Sequence, residues 1–297
     1  MNPQDRVIAA IVDRFNARFP SVAKIETQHT RDLSDNLFVP PDLVKFEFKQ
    51  GDGEEWKKTK TGKRKICSLR SSSALTVNLF APLRQLSAVH HGMKTTIASI
   101  ETHPVCFRFE SRHATGAGNR PANLDLACPS LVTRGYDALF VESKMVESFR
   151  AKVPKLSASY NAIPGLEEGS AWGQIRESVQ QSEREGSAEH LDRKQLVTHA
   201  AALFKRRHDV GLDDEAPPTA LLALFWMPEN HAEIEACRET LQLAHALAEA
   251  TRDEPVRLLV ATVDDLVDEW LASGNEHVRA HARRVAERYC GISVPTR

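Results

Sequence analysis

The sequence predicts an α/β protein in which helices flank a mixed β-sheet. Three observations support this fold class. From Ser72 onward, segments with the apolar spacing of a helix and short apolar strands follow one another along the chain. Residues 219–226 are apolar almost throughout, which is typical of a strand buried on both faces. A strong helix over 192–207 separates this strand from three earlier strands, as a crossover connection requires.

The N-terminal part of the chain is less regular. Residues 4–19 carry apolar side chains at helical spacing, which predicts an amphipathic helix. Residues 26–70 are polar and are interrupted by prolines and glycines. Within them, residues 43–49 alternate between apolar and polar types as a strand does, and residues 57–65 form a basic run that we interpret as a flexible arm.

The rest of the chain has clearer patterns. A helix beginning near Ser72 has a serine cap, and Pro82 is expected to limit or kink it. Asp192 is expected to cap the helix over 192–207. Strands are expected at 105–111, 123–130, 137–144, 219–226 and 256–262, helices at 229–251, 263–272 and 275–290, and a loop with a short helix near 172–180 over 150–190.

Length and composition set the domain organisation. A chain of 297 residues with 41% apolar and 27% charged residues is long enough for one large domain with additions or for two small domains. We divide it into an N-terminal helix and irregular arm over 1–70, a main α/β domain over 71–272, and a C-terminal helix over 273–297 packed on the core.

Several classes of protein are disfavoured. No run of about eighteen apolar residues occurs, so a membrane span is not expected, and the N-terminus lacks a signal-peptide cleavage site. We therefore expect a cytoplasmic protein. The five cysteines show no ligand spacing, which disfavours a zinc site or a disulfide framework. The net charge of −1 counts mildly against binding to nucleic acid by charge alone, although a single cleft can concentrate positive potential.

Two predicted strands carry a charged group of residues. Side chains two apart on a strand point to the same face, so Glu142 and Lys144 should project together. On the preceding strand, Asp125 lies between Leu124 and Leu126 and should face away from both. If these polar faces coincide, the two carboxylates converge with the lysine beside them.

A converged pair of carboxylates favours a cation. At about 5 Å they repel each other by about 3 kcal/mol in a medium of effective dielectric about 20. Hard oxygen ligands favour Mg²⁺ or Mn²⁺. The alternative interpretation is structural: Glu142 and Lys144 would form a solvated cross-strand pair, and Asp125 would accept hydrogen bonds in a turn.

The order of elements and motifs resembles the PD-(D/E)xK nuclease superfamily. In that core, the metal-binding Asp lies on the second strand and the Glu-x-Lys motif on the third. More narrowly, the chain resembles a family of bacterial restriction endonucleases over roughly residues 65–272. The matching segments are SSAL (72–75), NLFAPL (78–83), NLDL (123–126), FVESK (140–144), QLVTH (195–199) and LFWMPE (224–229).

This resemblance implies a restriction-endonuclease-like core and a magnesium-dependent DNA endonuclease. Asp125, Glu142 and the carbonyl of Ser143 would bind Mg²⁺ or Mn²⁺. Lys144 would orient or deprotonate the attacking water and stabilise the phosphoryl oxygens, and Gln195 would bond to the site.

The sequence departs from the family pattern at two positions. Leu124 stands where a proline usually precedes the first Asp. Many members carry a glutamate on the first core helix, where this chain has Asn78, and Glu110 is a candidate substitute. On the helix over 192–207, His199 is a candidate supporting residue, although a histidine beside a buried helix face is more often a packing residue.

Nucleic-acid contacts are predicted for four basic residues. Lys63, Arg64 and Lys65 belong to the basic run, which could neutralise phosphates but is more often a solvated loop. Arg206 lies on the helix that carries Gln195. A homodimer is a possible partner arrangement, because cleavage of two facing strands often requires one.

Two other functions are compatible with the sequence. The first is a non-catalytic nucleic-acid or protein-binding module that retains the nuclease fold. The second is a hydrolase that acts on a small phosphorylated substrate. Metal binding distinguishes the first from a nuclease, and activity on nucleotides in place of polymers distinguishes the second.

Overall fold

The structure is a computed structural model that describes residues 3–20, 27–30, 32–50, 54–58, 62–133, 135–213 and 215–295. The strands are β1 Thr95–Ile97, β2 Ile100–Thr102, β3 Arg108–His113, β4 Ala122–Cys128, β5 Ala138–Lys144, β6 Thr219–Phe225 and β7 Val256–Thr262. The α-helices are α1 Pro3–Arg18, α2 Leu33–Asn36, α3 Asp42–Gln50, α4 Ser72–Val89, α5 Ala171–Glu185, α6 Arg193–Asp209, α7 Glu235–Ala250, α8 Val263–Leu271 and α9 Glu276–Tyr289.

The central sheet has five strands in the order β3-β4-β5-β6-β7. The pairs β3–β4 and β4–β5 are antiparallel, whereas β5–β6 and β6–β7 are parallel. A parallel pair needs a crossover, and α5 and α6 provide it for β5–β6 while α7 provides it for β6–β7. The predicted α/β fold, with a mixed sheet flanked by helices, is confirmed.

The middle of the sheet is fully enclosed. All seven residues of β6 are buried, as are the first six of β5. Because polar side chains in such a strand lose water, a polar residue is retained there only when it has partners or a function. The buried Glu142 of β5 is such a residue.

The N-terminal and C-terminal additions share one hydrophobic core with the sheet. Val7 of α1 and Val294 near the C-terminus belong to the same cluster of buried side chains as Leu221 of β6. The division at 1–70, 71–272 and 273–297 remains a prediction.

The predicted strand at 43–49 is wrong, because this segment forms α3. Val44 and Phe48 are buried and lie four residues apart, whereas Phe46 is 68% exposed. A short segment in which apolar and polar residues alternate can also place its apolar residues on one face of a helix. The helical backbone is seen in the first turn, where the N–H of Lys45 donates a hydrogen bond to the carbonyl of Pro41.

The strand predicted at 105–111 begins later. Residues Pro104–Cys106 form a 3₁₀ turn, and β3 starts at Arg108. Val105 is therefore 53% exposed and does not share a face with the buried Phe107 and Phe109. Proline at the first turn position restricts the backbone to the turn conformation.

Other elements differ in extent. The short helix predicted near 172–180 is the longer α5, which Ser170 caps at the start and the left-handed Gly186 ends. The hairpin of β1 and β2 was not predicted. Helix α4 continues through Pro82. Within the residues that the structure describes, no helix has the length and apolar character needed to cross a membrane.

Candidate active site

Strand β5 delivers Glu142 and Lys144 to the same face of the sheet, as the period of two predicts. Both side chains line one pocket. Ser143 points to the opposite face, where it is buried and its Oγ accepts a 2.8 Å hydrogen bond from Oγ1 of Thr76 on α4. The helix therefore fixes the strand from behind the site.

Asp125 on β4 lies beside this pair. The β4–β5 ladder pairs Leu126 with Val141, and the next positions along the two strands are Asp125 and Glu142. The backbone N–H of Ser143 donates a 2.7 Å hydrogen bond to Oδ2 of Asp125. The structure thus brings Asp125, Glu142 and Lys144 together.

The first oxygen of Glu142 is tightly bound. Its Oε1 accepts a 2.8 Å hydrogen bond from Nζ of Lys144 and a 2.6 Å hydrogen bond from Nε2 of Gln195. The lysine also donates to Oε1 of Gln195. The three side chains form a closed triangle, which fixes their rotamers.

The second oxygen of Glu142 is less satisfied. Nε2 of His199 lies 3.0 Å from Oε2 of Glu142, but this ion-pair contact lacks hydrogen-bond geometry. Among the described residues, the buried Oε2 therefore has no hydrogen-bond donor. His199 nevertheless acts on this carboxylate, because it is one of the groups that lower the pKa of Glu142.

The N-terminal cap of helix α6 positions the two site residues that this helix carries. The side chain of Asp192 caps the helix by accepting a 3.0 Å hydrogen bond from the backbone N–H of Gln195. His199 follows Gln195 by four residues and so lies on the same face of the helix. The cap therefore fixes the position from which Gln195 and His199 reach Glu142.

Glu110 on β3 is a third carboxylate in the same pocket. Its φ of +51° lies in the left-handed region, which a non-glycine residue enters only under constraint. The carboxylate is buried and accepts hydrogen bonds from Ser73 Oγ, at 3.2 Å, and from Nδ2 of Asn123. Such strain occurs most often at functional sites.

The pocket that these residues line has a volume of about 420 Å³. These residues come from the N-terminal segment, the start of α4, the sheet, the segment after β5 and the start of α6. The lining residues are Phe48, Glu55, Lys65, Ser72, Ser73, Glu110, Asn123, Asp125, Glu142, Lys144, Glu147, Lys152, Asp192 and Gln195.

Glu142 and Lys144 form a charged pair. Burial alone raises the pKa of Glu142, but Lys144 and His199 outweigh burial and lower that pKa to about 2. Burial likewise lowers the pKa of Lys144, but Glu142 and Glu147 outweigh it, and the pKa of the lysine is raised. The lysine is therefore protonated near neutral pH, and it can donate a hydrogen bond but not accept a proton.

The other two carboxylates are destabilised as anions. Burial, followed by repulsion from Glu142 and Glu110, raises the pKa of Asp125 well above its usual range, against the hydrogen bond from Ser143. Burial is also the main influence that raises the pKa of Glu110 to about 7. The three acids of the pocket therefore repel one another when they are ionised, and a cation bound there would neutralise part of their charge.

The raised pKa of Glu110 predicts a pH dependence of stability in the metal-free protein. Glu110 has an ordinary pKa of 4.5 and a folded pKa of about 7, so its contribution to stability is complete below pH 4.5 and is lost as the pH rises through about 7. Glu110→Gln should remove this loss, which is on the order of 3 kcal/mol because one pKa unit equals about 1.4 kcal/mol. Melting temperatures in EDTA across this pH range measure the difference.

A matched control for this prediction is Glu249→Gln, which changes an exposed glutamate paired with Arg252. It should keep the wild-type dependence on pH. If Glu110→Gln also follows the wild-type curve, Glu110 is not held as a neutral acid in the folded protein.

The donor set is compatible with a hard divalent ion. Asp125 and Glu142 line one pocket, and their carboxylates repel each other when the pocket holds no cation. Within the described residues, no group of three or more His, Cys, Asp or Glu side chains is arranged as a metal-binding cluster. Because Mg²⁺ prefers octahedral coordination by oxygen, an ion held by Asp125 and Glu142 would also need backbone or solvent oxygens.

Asn78 lies away from this pocket. Its amide accepts a 2.7 Å hydrogen bond from Phe38 N and donates to Asn36 O and to the hydroxyl of Tyr289. It connects α4 to the N-terminal segment and to α9, which is a structural task. Glu110, the candidate substitute for the glutamate that many members carry on the first core helix, does line the pocket.

The predicted nucleic-acid contacts are dispersed. Of the basic run, Lys65 lines the pocket, whereas Lys63 donates a 3.1 Å hydrogen bond to Oγ1 of Thr27 and Arg64 pairs through its backbone with Lys58. Residues 59–61 of that run lie outside the described part of the chain.

Arg206 lies near the opposite end of the sheet from the pocket. It forms a 2.6 Å ion pair with Asp137, at the start of β5, and its guanidinium lies 5.4 Å from the centre of the Phe140 ring. The structure does not bring Arg206 to the site.

Some pocket residues were not predicted from the sequence. Asn123 precedes Asp125 by two positions on the same strand, so the period of two could have indicated it. Glu147 follows the Glu-x-Lys motif closely, but its Oε2 accepts from the backbone of Met145 and Val146 in a turn that no pattern indicated. Ser73 and Lys152 reach the pocket through tertiary packing alone.

Fold and site together define an α/β protein whose core order of helix, three strands, helix and strand is compatible with the predicted restriction-endonuclease-like core. Over residues 13–290, the chain matches the family model REase-ARP, described as "Restriction Endonuclease associating with ARP", and it belongs to that family. The resemblance to a restriction endonuclease family is thereby confirmed. Neither the curated proteins nor the solved structures contain a match to the chain.

Proposed function

We propose that this protein is a magnesium-dependent endonuclease that hydrolyses phosphodiester bonds of DNA. The observation that carries this proposal is the convergence of Asp125, Glu142 and Lys144 in one pocket. Membership of a restriction endonuclease family supports a nuclease role and DNA as the substrate.

Asp125 and Glu142 would hold the Mg²⁺ ion, with Mn²⁺ as a substitute. The carbonyl of Ser143 is a suitable third oxygen. In an extended strand, the N–H and C=O of one residue point to the same edge, and the N–H of Ser143 already points to Asp125. When bound, such an ion supplies a Lewis acid that lowers the pKa of a coordinated water and neutralises charge on the phosphate.

Lys144 would act as a fixed cation. Glu142 raises the pKa of Lys144 in the metal-free protein, and the protonated lysine can stabilise the extra negative charge on the phosphoryl oxygens in the transition state. While it is protonated, Lys144 can orient the attacking water but cannot deprotonate it. The water would have to lose its proton to solvent or to another group in the pocket.

Gln195 and His199 would act as positioning residues. Gln195 contacts both Glu142 and Lys144, so it holds the distance between the acid and the cation. His199 lies 3.0 Å from Oε2 of Glu142, behind the site, and is almost fully buried. Glu110 would add negative charge to the pocket once its proton is lost, which strengthens attraction for a cation.

Incubation with plasmid DNA tests this function. We expect nicked and linear DNA with Mg²⁺ or Mn²⁺ and intact DNA in EDTA. Calorimetry that finds no Mn²⁺ binding at about millimolar concentration, together with intact plasmid, would support the non-catalytic binding module. Phosphate release from nucleotides, with polymers left intact, would support the hydrolase for small substrates.

A further inference from the structure

A second groove, of about 350 Å³, opens beside the active-site pocket. It shares Lys144, Glu147, Lys152 and Asp192 with that pocket, so the two form one continuous depression. Its walls are the segment that follows β5 and the first turn of α6. A polymer whose reacting group lies in the pocket therefore has a path along this groove.

The groove carries an excess of basic side chains. Five basic and three acidic residues line it, apart from the histidine His190. The basic residues are Lys144, Arg150, Lys152, Lys155 and Lys194, and the acidic residues are Glu147, Glu189 and Asp192.

Four of these cations have no acidic partner among the described residues. Lys144 forms an ion pair with Glu142. The other four side chains are exposed and form no ion pair with any residue that the structure describes. The four cations are thus available to an external anion.

The acids of the groove are already engaged. Glu189 forms an ion pair with Arg193 and a 2.8 Å hydrogen bond to its Nε. Asp192 caps α6, and Oε2 of Glu147 accepts from two backbone N–H groups. Their charge is therefore partly compensated, and the groove keeps a positive potential.

The backbone beneath these cations is fixed. Lys152 and Glu189 exchange two backbone hydrogen bonds of 2.9 Å each, and the N–H of Leu156 donates to the carboxylate of Glu183. These hydrogen bonds restrain the backbone near Arg150 and Lys155. Less conformational entropy is lost on binding when the anchor points are already ordered.

We propose that this groove binds the sugar–phosphate backbone of duplex DNA beside the scissile phosphate, with Arg150, Lys152, Lys155 and Lys194 as the phosphate contacts. This inference rests on the proposed function, from which it takes DNA as the substrate. It adds the protein surface that would hold the DNA. Four cations next to the reacting phosphate suit the repeated negative charge of a polynucleotide. A lone small phosphate would need only the pocket.

Salt dependence of binding tests the groove. The variant Arg150→Gln/Lys155→Gln/Lys194→Gln leaves Lys152 in place, because that residue also lines the catalytic pocket. Binding of a short fluorescent DNA duplex is measured in EDTA, so that no metal-dependent cleavage occurs, between about 50 and 200 mM salt. Each lost phosphate contact lowers the slope of log K against log salt by about 0.9, so the triple variant should lose about 2 to 3 of that slope.

The matched control is Lys94→Gln/Lys205→Gln/Arg252→Gln, which removes the same three charges from exposed ion pairs elsewhere. It should keep a slope within about 0.5 of wild type, because its residues contact no phosphate in this arrangement. Equal slopes for the groove variant and wild type, or an undetectable affinity of the wild type for DNA, would overturn the inference.

Cleavage assays separate this inference from the proposed function. If both hold, the groove variant should have a KM for DNA at least about tenfold higher and a kcat close to that of wild type, because the catalytic residues are intact. If wild type cuts DNA and the groove variant matches it in KM and salt slope, only the groove inference fails. If wild type never cuts DNA but the groove variant loses the slope, the nuclease proposal fails and the groove remains a DNA-binding surface.

Discussion

Replacing Lys144 with alanine is expected to reduce metal-dependent cleavage of DNA by at least about 10²–10³-fold, as the loss of one fixed charge-stabilising donor usually does. The variant removes the cation that lies 2.8 Å from Oε1 of Glu142 and contacts Gln195. It also removes the largest influence that lowers the pKa of Glu142, so this carboxylate becomes harder to ionise and binds a metal less readily. The rate of plasmid nicking measures the combined effect.

Two further variants make this test specific. Lys205→Ala removes an exposed lysine that pairs with Asp209 on the same helix as Gln195, and it should cleave like wild type. Lys144→Arg keeps the charge but changes its shape, and it should recover only part of the rate because the guanidinium cannot replace the compact ammonium in a closed triangle. A Lys144→Ala protein that is folded, by circular dichroism, and cleaves at the wild-type rate would show that Lys144 is not part of the machinery.

Replacing Asp125 with asparagine is expected to stabilise the metal-free protein. The amide carries no charge, so it removes the repulsion from Glu142 and Glu110 while its oxygen still accepts from the N–H of Ser143. The gain should be about 1–3 kcal/mol, from carboxylates about 5 Å apart at an effective dielectric of about 20. In a protein of about this size, each kcal/mol raises the melting temperature by about 2–4 °C.

The direction of the pKa shift of Asp125 determines the pH range in which Asp125→Asn is more stable than wild type. The folded pKa of Asp125 lies above its ordinary value of 3.8, so the contribution of the wild-type residue to stability is lost as the pH rises through the folded pKa. The advantage of Asp125→Asn should therefore be largest in the alkaline range and small near pH 3.8.

Metal should reduce the stability difference between the two proteins. Wild type should gain about 2.7 kcal/mol when the Mg²⁺ concentration is about 100 times Kd, whereas Asp125→Asn should gain much less because one ligand is missing. Asp209→Asn, which changes an exposed acid, is the control and should respond to metal like wild type. An undiminished response of Asp125→Asn to metal would contradict a shared site at Asp125 and Glu142.

The elements of the sheet could be predicted because their sequence patterns are unambiguous. The strand over 256–262 has the predicted bounds, and the apolar run over 219–226 is the buried β6. The prediction of a strand over 43–49 was wrong for a physical reason. Residues four apart, such as Val44 and Phe48, lie on one face both in a strand and in a helix, so a pattern this short fits either element. Only contact with the rest of the core decides between them.

The centre of the candidate site could also be predicted from local geometry. The period of two on β5 places Glu142 and Lys144 on one face, and the alternation on β4 turns Asp125 away from its apolar neighbours. The helical period similarly associates Gln195 with His199. These statements need only the identity of the element, since the pleat and the helical turn are set by backbone sterics.

The remaining features depend on contacts between residues far apart in sequence. Glu110 lines the pocket from a left-handed backbone conformation. Asn78 instead bonds to Asn36 and Tyr289, and Lys194 and Arg150 line the same groove. The sequence alone determined the α/β class, the order of the core elements and the three charged residues at its centre, because these follow from local periodicity. The tertiary structure alone decided the protonation of those residues and the surface beside them, because burial and long-range electrostatics arise only when distant segments pack together.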